Sequence, residues 1–130
     1  MGSTRTDGRT IFHAVGGAEI FDRLVERFYE GVSSDPVLRP IYPEDLVESR
    51  RRLSLFLQQY FGGPSTYSDE RGHPRLRMRH LPFAIGPAER DAWMQHMRAA
   101  VAAERFPLHV ETVLLDYFDR AATFLVNRET

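Results

Sequence analysis

The sequence predicts an all-α fold, and three observations support that prediction. Apolar residues recur at helical spacing in four long segments. Prolines and paired glycines stand between these segments, where they end one helix or begin the next. No alternating strand pattern and no Asn-Gly hairpin turn occurs in the 130 residues.

The first long predicted helix follows Gly16-Gly17 and ends at Ser34-Asp35-Pro36. Pro36 and Pro40 then permit only a short turn of helix, which ends near Ile41-Tyr42. The apolar stripe of the long helix repeats every four residues and comprises Ile20, Leu24, Phe28 and Val32.

Three further helices are predicted. Pro43 suits the first position of a helix, and Glu44-Asp45 favour the positive end of its dipole. Gly62-Gly63-Pro64 ends that helix. Pro87 and Pro107 begin the last two helices. Their apolar faces contain Trp93, Met97 and Val101, and then Val110, Leu114, Tyr117, Phe118, Ala121, Phe124 and Leu125.

Composition excludes several kinds of chemistry. The chain has no cysteine, which excludes disulfides, thiolate catalysis, iron–sulfur clusters, cysteine zinc sites and covalent haem attachment. It also has no lysine, since all 17 cations are arginine, which excludes lysine Schiff bases and the lysine of a phosphate-binding P-loop. With a net charge of −1, the chain as a whole does not have the charge of a nucleic-acid binder.

The length predicts one domain with a single core. Residues 1–10 are polar and aperiodic, which predicts a flexible N-terminal tail ahead of a domain at residues 11–130. No segment approaches the ~20 apolar residues needed to span a membrane. No basic and apolar leader opens the sequence, so we expect a cytoplasmic protein.

The segment 62–86 does not fit the regular helical pattern. Its Gly-Gly-Pro, Gly-His-Pro and Leu-Pro-Phe punctuation leaves only one short helix, after Pro74. A loop this long inside a compact domain is usually functional or disordered, and its apolar residues argue against disorder. Its basic residues are Arg71, His73, Arg75, Arg77, Arg79 and His80. This ordered basic segment is the strongest local indication of a site.

The residues alone leave three interpretations of that segment open. Four arginines within nine residues could contact nucleic-acid phosphates, although no DNA-binding motif accompanies them. His73 and His80 could ligate a divalent metal, although they lack a carboxylate partner at a metal-binding spacing. A histidine could instead provide one axial ligand to haem iron, with arginine pairing the haem propionates. Local chemistry permits the haem interpretation without selecting it.

Five segments, read in order, resemble the truncated haemoglobins of group II, close to their actinobacterial members. They are AVGGAEIFDRLVERFYEGV (14–32), DPVLRPIYPEDL (35–46), LFLQQYFGGPSTYS (55–68), GHPRLRMRHLPFAI (72–85) and ERDAWMQHM (89–97). The resemblance implies a truncated globin fold, a two-over-two helical sandwich with an extended loop before the proximal histidine. Residues 11–130 would then be a single haem-binding globin domain.

The resemblance also implies roles for individual residues. His80 matches the proximal ligand of the haem iron. The distal residues facing the ligand are Tyr29, Tyr42, Trp93, Leu53 and Ser49, with Leu53 pressing on the ligand and Ser49 at its usual access gate. The residues that contact haem are Arg79, Arg52 and Tyr67 at the propionates, with Phe56 and Met97 as walls of the pocket.

The implied function is binding of O₂ to non-covalently held haem b, with slow ligand release through distal Tyr and Trp hydrogen bonds. Such a protein would serve in storage, transport or sensing and would also take CO and NO. The alternative is a haem enzyme, an NO dioxygenase or a peroxidase, supplied by an external reductase. A helical interaction module without haem is a third hypothesis. Val113 and Tyr117 add apolar surface near the C-terminus, which would permit a homodimer.

Overall fold

The computed structural model describes residues 10–129, which contain seven α-helices, one short 3-10 helix and no strand. The prediction of an all-α fold is confirmed. Of the predicted tail, residues 1–9 lie outside the described residues. The α-helices are α1 (Ile11–Val15), α2 (Ala18–Ser33), α3 (Val47–Tyr60), α4 (Thr66–Arg71), α5 (Leu76–His80), α6 (Pro87–Glu104) and α7 (Leu108–Phe124). The 3-10 helix spans Arg39–Ile41, where the sequence predicts one short turn.

The chain divides into two compact units. In the described part of the chain, the first unit comprises residues 10–26 and 45–74, and the second comprises residues 27–44 and 75–129. Helix α2 therefore contributes its beginning to the first unit and its end to the second.

Three phenylalanine rings stack in the first unit. The ring of Phe21 lies 6.0 Å from that of Phe12 and 6.0 Å from that of Phe61, with interplanar angles of 10° and 16°. The amide of Phe12 also donates to the Phe61 carbonyl at 2.9 Å. A Cβ atom on Gly63 would lie 2.6 Å from the Phe12 ring. The glycine that ends α3 is therefore also required for the packing of α1.

Helices α3 and α4 pack against each other in the first unit. The Gln59 side chain donates to the Ser68 hydroxyl at 2.8 Å and accepts from the Ser68 amide at 3.0 Å. These bonds fix α4, where Tyr67 is buried with its ring 5.5 Å from that of Phe56. Segment 62–86 thus contains two short helices, α5 after Pro74 as predicted and α4, which the sequence pattern did not predict.

The core of the second unit lies where α6 and α7 pack together. The predicted starts of both helices agree with the structure, since α6 begins at Pro87 and α7 begins one residue after Pro107. The side chains fully buried along these helices are Met94, Met97, Val101, Val110, Leu114 and Phe118.

The predicted start of α3 at Pro43 is wrong by four residues, because the side chain of Arg39 hydrogen-bonds the backbone carbonyl groups there. Its guanidinium donates to the carbonyl groups of residues 42–44 at distances of 2.7 to 3.3 Å. The Asp45 carboxylate then accepts from the Val47 amide at 2.9 Å, which is the first amide of α3 and has no partner within the helix. The helix therefore begins at Val47.

None of the helices within residues 10–129 is long and apolar enough to cross a membrane.

Candidate functional site

Tyr29, Tyr42 and Trp93 meet in the second unit. They come from α2, from the segment after the 3-10 helix, and from α6. The Tyr29 and Tyr42 rings meet edge to face, with centroids 5.5 Å apart at an angle of 83°. The Trp93 indole and the Tyr29 hydroxyl both hydrogen-bond the Tyr42 hydroxyl, and both bonds lower its pKa. The indole N–H can only donate, so Tyr42 accepts from Trp93. We call these three side chains the aromatic donor cluster.

Burial raises the pKa of Tyr42 to about 12, and the hydrogen bonds from Trp93 and Tyr29 offset only part of that rise. The phenol therefore stays protonated at any physiological pH. A tyrosine hydroxyl has one donor proton and two acceptor lone pairs. The indole of Trp93 can only donate and each phenol carries one proton, so the cluster is a set of donors able to bind a ligand that carries negative charge.

The bodies of the cluster pack on two buried phenylalanines. Phe28 is fully buried, with its ring 5.0 Å from that of Tyr29 and 5.1 Å from that of Trp93. The indole ring of Trp93 also contacts the ring of Phe118, with centroids 5.8 Å apart. Ring contacts of this kind add stabilisation beyond simple area burial. The positions of the donors are thus set by apolar packing around their rings.

A second polar contact joins α6 to the segment that follows α2, and the sequence pattern does not predict it. His96 Nε2 lies 2.6 Å from Asp35 Oδ2, and the hydrogen bond with His96 is the main reason that the pKa of Asp35 is lowered. A Cβ atom on Gly31 would lie 2.2 Å from His96 Nδ1. Helices α2 and α6 therefore approach closely at Gly31. The available signal was this glycine inside an otherwise regular helical pattern.

His80 is the last residue of α5 and is half-buried. Its Nδ1 lies 2.7 Å from the Leu76 carbonyl oxygen, which can only accept. We therefore assign the proton to Nδ1, which leaves the Nε2 lone pair available to a metal. The neighbouring side chains Met78, Leu81 and Phe83 are 54%, 53% and 40% exposed. The acceptor nitrogen of His80 thus belongs to a segment whose large apolar side chains are exposed.

The other predicted site residues of the second unit are Arg79 and Met97. Met97 is fully buried. Arg79 is half-buried, and its Nε atom is shielded from solvent.

The first unit contains the remaining predicted residues, which are Ser49, Arg52, Leu53, Phe56 and Tyr67. Ser49, Phe56 and Tyr67 are buried, and the last two are in ring contact. Leu53 and Arg52 are half-buried, and the Arg52 guanidinium lies 3.8 Å from the Glu48 carboxylate one turn earlier.

Within the described residues, no group of three or more His, Cys, Asp or Glu side chains is placed to hold a metal ion. The second unit thus contains the half-buried imidazole of His80 and, elsewhere in the same unit, the phenol and indole donors of the aromatic donor cluster.

Comparisons with known proteins identify the family of this chain. The family model for bacterial-like globins matches residues 10–127. The group 2 truncated haemoglobin YjbI of Bacillus subtilis is 42% identical over 112 residues, which are 86% of this chain and 85% of that protein.

Solved structures give the same result. A thermostable haemoglobin from the actinobacterium Thermobifida fusca is 59% identical, with a TM-score of 0.89, covering 91% of this chain and 97% of that one. A truncated oxygen-avid haemoglobin from Bacillus subtilis is 41% identical, with a TM-score of 0.86 and coverage of 91% and 99%. The chain therefore belongs to the bacterial-like globin family and, within it, to the group II truncated haemoglobins.

Proposed function

We propose that this protein binds O₂ on a non-covalently held haem b and releases it slowly. Membership of the truncated haemoglobin family implies haem-based oxygen binding. The observation that supports slow release is the hydrogen-bonded cluster of Tyr29, Tyr42 and Trp93, whose phenolic O–H and indole N–H groups are donors. The description of a relative as oxygen-avid agrees with this proposal.

The residues around His80 fit a haem. Bound haem supplies an iron that accepts one axial imidazole and one diatomic ligand. His80 offers Nε2 because Nδ1 is engaged with the Leu76 carbonyl. Exposed Met78, Leu81 and Phe83 are apolar surface that a macrocycle can cover. The absence of cysteine excludes thioether attachment, so we propose that the haem is held non-covalently.

For the remaining residues, we propose the roles that the family resemblance gives them. Arg79, Arg52 and Tyr67 bind the propionates, for which an arginine fork is a suitable partner. Phe56 and Met97 form apolar walls. On the distal side, Leu53 limits the space for the ligand and Ser49, as a small residue, leaves its access open.

The donor cluster acts on the ligand through Tyr42. A hydrogen bond to an acceptor with negative charge contributes about 1.5–3 kcal/mol. That range corresponds to roughly ten- to a hundredfold slower release. Trp93 and Tyr29 strengthen the bond by polarising the Tyr42 hydroxyl. CO, a weaker hydrogen-bond acceptor, gains less from the same donors, while NO remains a ligand.

The second candidate is a haem enzyme that acts on NO or peroxide. The donor cluster favours it as well, because donors that hold a polar ligand also polarise its bonds. Such turnover needs electrons from an external reductase. We propose that either activity takes place in the cytoplasm and involves no nucleic acid. Val113 is exposed on α7 and would allow a homodimer.

The test begins with the absorbance spectrum of the purified protein, in which a Soret band at about 400–430 nm indicates bound haem. Stopped-flow measurement of O₂ dissociation then decides between slow and rapid release. Consumption of NO or peroxide with an electron source, measured on the same preparation, separates the enzyme from the oxygen binder. Absence of a Soret band after haem addition would refute both candidates and favour a helical interaction module.

A further inference from the structure

Helix α5, which carries His80, is too short to hold its own position. It has five residues, about one turn, whereas isolated helices become stable only above roughly 12–15 residues. Arg75, immediately before it, has a positive φ of 46°, and α5 has no side-chain cap at its N-terminus. The orientation of His80 therefore depends on contacts from elsewhere in the second unit.

Asn127, beyond the end of α7, makes those contacts with its side-chain amide. Nδ2 donates to the His80 carbonyl at 3.3 Å and to the Phe83 carbonyl at 2.9 Å. Oδ1 accepts from the Ile85 amide at 2.9 Å. The two carbonyls can only accept and the amide can only donate, so the three partners fix the orientation of the Asn127 amide. The side chain thus holds both ends of the turn that leaves His80.

The backbone and Arg77 reinforce this attachment. The Asn127 and Arg128 amides both donate to the Ile85 carbonyl, at 2.8 and 3.1 Å. The Arg77 guanidinium donates to the Phe124 carbonyl and lies 5.5 Å from the Phe124 ring centre. A cation at the C-terminal end of α7 is also favoured by the helix dipole. Helix α5 is therefore tied on one side to the end of α7 and on the other to the segment after it.

We infer that Asn127 is a positioning residue for the axial histidine, and that it sets the orientation and strain of the bond from His80 to haem iron. This inference rests on the proposed function. The side chain holds the carbonyl of His80 itself, while the His80 ring is held from Leu76 within the same turn. Both the backbone and the ring of the ligand are thus fixed, which is how outer-shell partners tune a metal ligand.

The experiment compares the holoprotein with Asn127→Ala by resonance Raman spectroscopy of the ferrous state. We expect the iron–imidazole stretching band to shift or broaden. We also expect the rate of haem loss to an acceptor globin to rise at least about tenfold, because Asn127→Ala removes all three side-chain hydrogen bonds of Asn127. Asn127→Asp keeps the acceptor for Ile85 but not the two donors, and should shift the same band. Arg128→Ala is the matched control, since it retains the backbone bond to Ile85, and should leave the band unchanged.

An unchanged Raman band in Asn127→Ala and Asn127→Asp overturns the inference, provided that the wild-type protein shows a histidine-ligated haem. If the wild-type protein takes up no haem, the proposed function fails instead. Should Asn127→Ala not fold, Arg77→Met and Asn127→Asp decide the matter. We expect Arg77→Met to move the band in the same direction by less, and unchanged bands in both variants would again refute the inference.

Discussion

The donor cluster and the His80 segment belong to the same unit but are held by different interactions. Tyr29 and Trp93 stand on helices of 16 and 18 residues, and their rings pack on buried Phe28. His80 stands on a helix of five residues whose position depends on hydrogen bonds from Asn127 and Arg77. The donors are therefore positioned by non-directional packing, and the histidine is positioned by a few directional bonds. We call the donor cluster with its supporting contacts the donor side, and the His80 segment with its supporting contacts the histidine side. We expect substitutions on the two sides to fail in different ways.

The largest effect should come from removing the acceptor on the histidine side. We expect His80→Gly to abolish the histidine-ligated haem spectrum, because no other residue is proposed to supply the axial imidazole. Absorbance and resonance Raman spectra of the reconstituted variant measure this. Added imidazole should restore the five-coordinate spectrum by occupying the space left by the side chain.

The matched control is His73→Gly, which removes another imidazole from the same basic segment and should leave the spectrum intact. A five-coordinate imidazole spectrum in His80→Gly without added imidazole would refute the assignment of the proximal ligand.

The next largest effect concerns the donor side. Tyr42→Phe removes the hydroxyl that we propose to bind the ligand, and we expect O₂ dissociation to accelerate about ten- to a hundredfold. Trp93→Phe and Tyr29→Phe each remove one hydrogen-bond partner of Tyr42 and leave its hydroxyl in place, so we expect smaller increases. Stopped-flow ligand exchange measures all three rates. The control is Tyr60→Phe, which removes a hydroxyl from an exposed tyrosine outside the cluster. Unchanged rates in both Trp93→Phe and Tyr29→Phe would rule out the donor hypothesis.

The two sides also differ in how far the sequence predicts them. The helices that carry Tyr29 and Trp93 are visible as apolar stripes, and the bounds of α2 and the start of α6 agree closely with the prediction. The meeting of Tyr29, Tyr42 and Trp93 is not visible in their spacing, because it depends on tertiary packing. It was expected only from the resemblance to truncated haemoglobins, and the structure shows the contact.

Residues around His80 are harder to predict for a physical reason. Asn127 acts on backbone carbonyls 44 and 47 positions earlier, and no local pattern marks a side chain that binds distant peptide groups. The start of α3 was missed for a similar reason, since the guanidinium of Arg39 takes up backbone carbonyls that a helix beginning at Pro43 would use. Apolar periodicity thus predicts the packed helices, whereas side chain-to-backbone bonds across loops leave no comparable signal.

A smaller effect tests whether packing positions the donors. Gly31→Ala would place a Cβ atom against the His96 ring, which must then move away from Asp35 or push α2 and α6 apart. We expect a loss of about 1–3 kcal/mol in the free energy of unfolding, the usual cost of overpacking. O₂ dissociation should also accelerate, because these helices carry Tyr29 and Trp93. Urea unfolding and stopped-flow kinetics provide the two measurements.

The double variant Gly31→Ala/His96→Ala is the control for Gly31→Ala, because it removes the ring that the new methyl group meets. It should recover part of the stability lost in the single variant, after allowance for the His96→Ala change alone. A fully additive double variant would show that the contact at Gly31 does not set the helix separation.

The smallest expected effect is a difference in acid sensitivity between the two sides. The donor side contains an ionisable pair, Asp35 and His96, whereas Asn127 and its partners carry no charge. The pKa of Asp35 is lowered in the folded protein, mainly by its hydrogen bond with His96. A lowered pKa means that the stabilisation is fully present above the unfolded value of about 3.9 and is lost as the pH falls through the folded value. Asp35→Asn should therefore lower the midpoint of urea unfolding at neutral pH, and the midpoint should fall less steeply below about pH 4 than in the wild-type protein. Asn127→Ala should lower the midpoint without changing how steeply it falls with pH. If Asp35→Asn retains the acid decline of the wild-type protein, the pair does not stabilise the donor side, and packing alone must hold it.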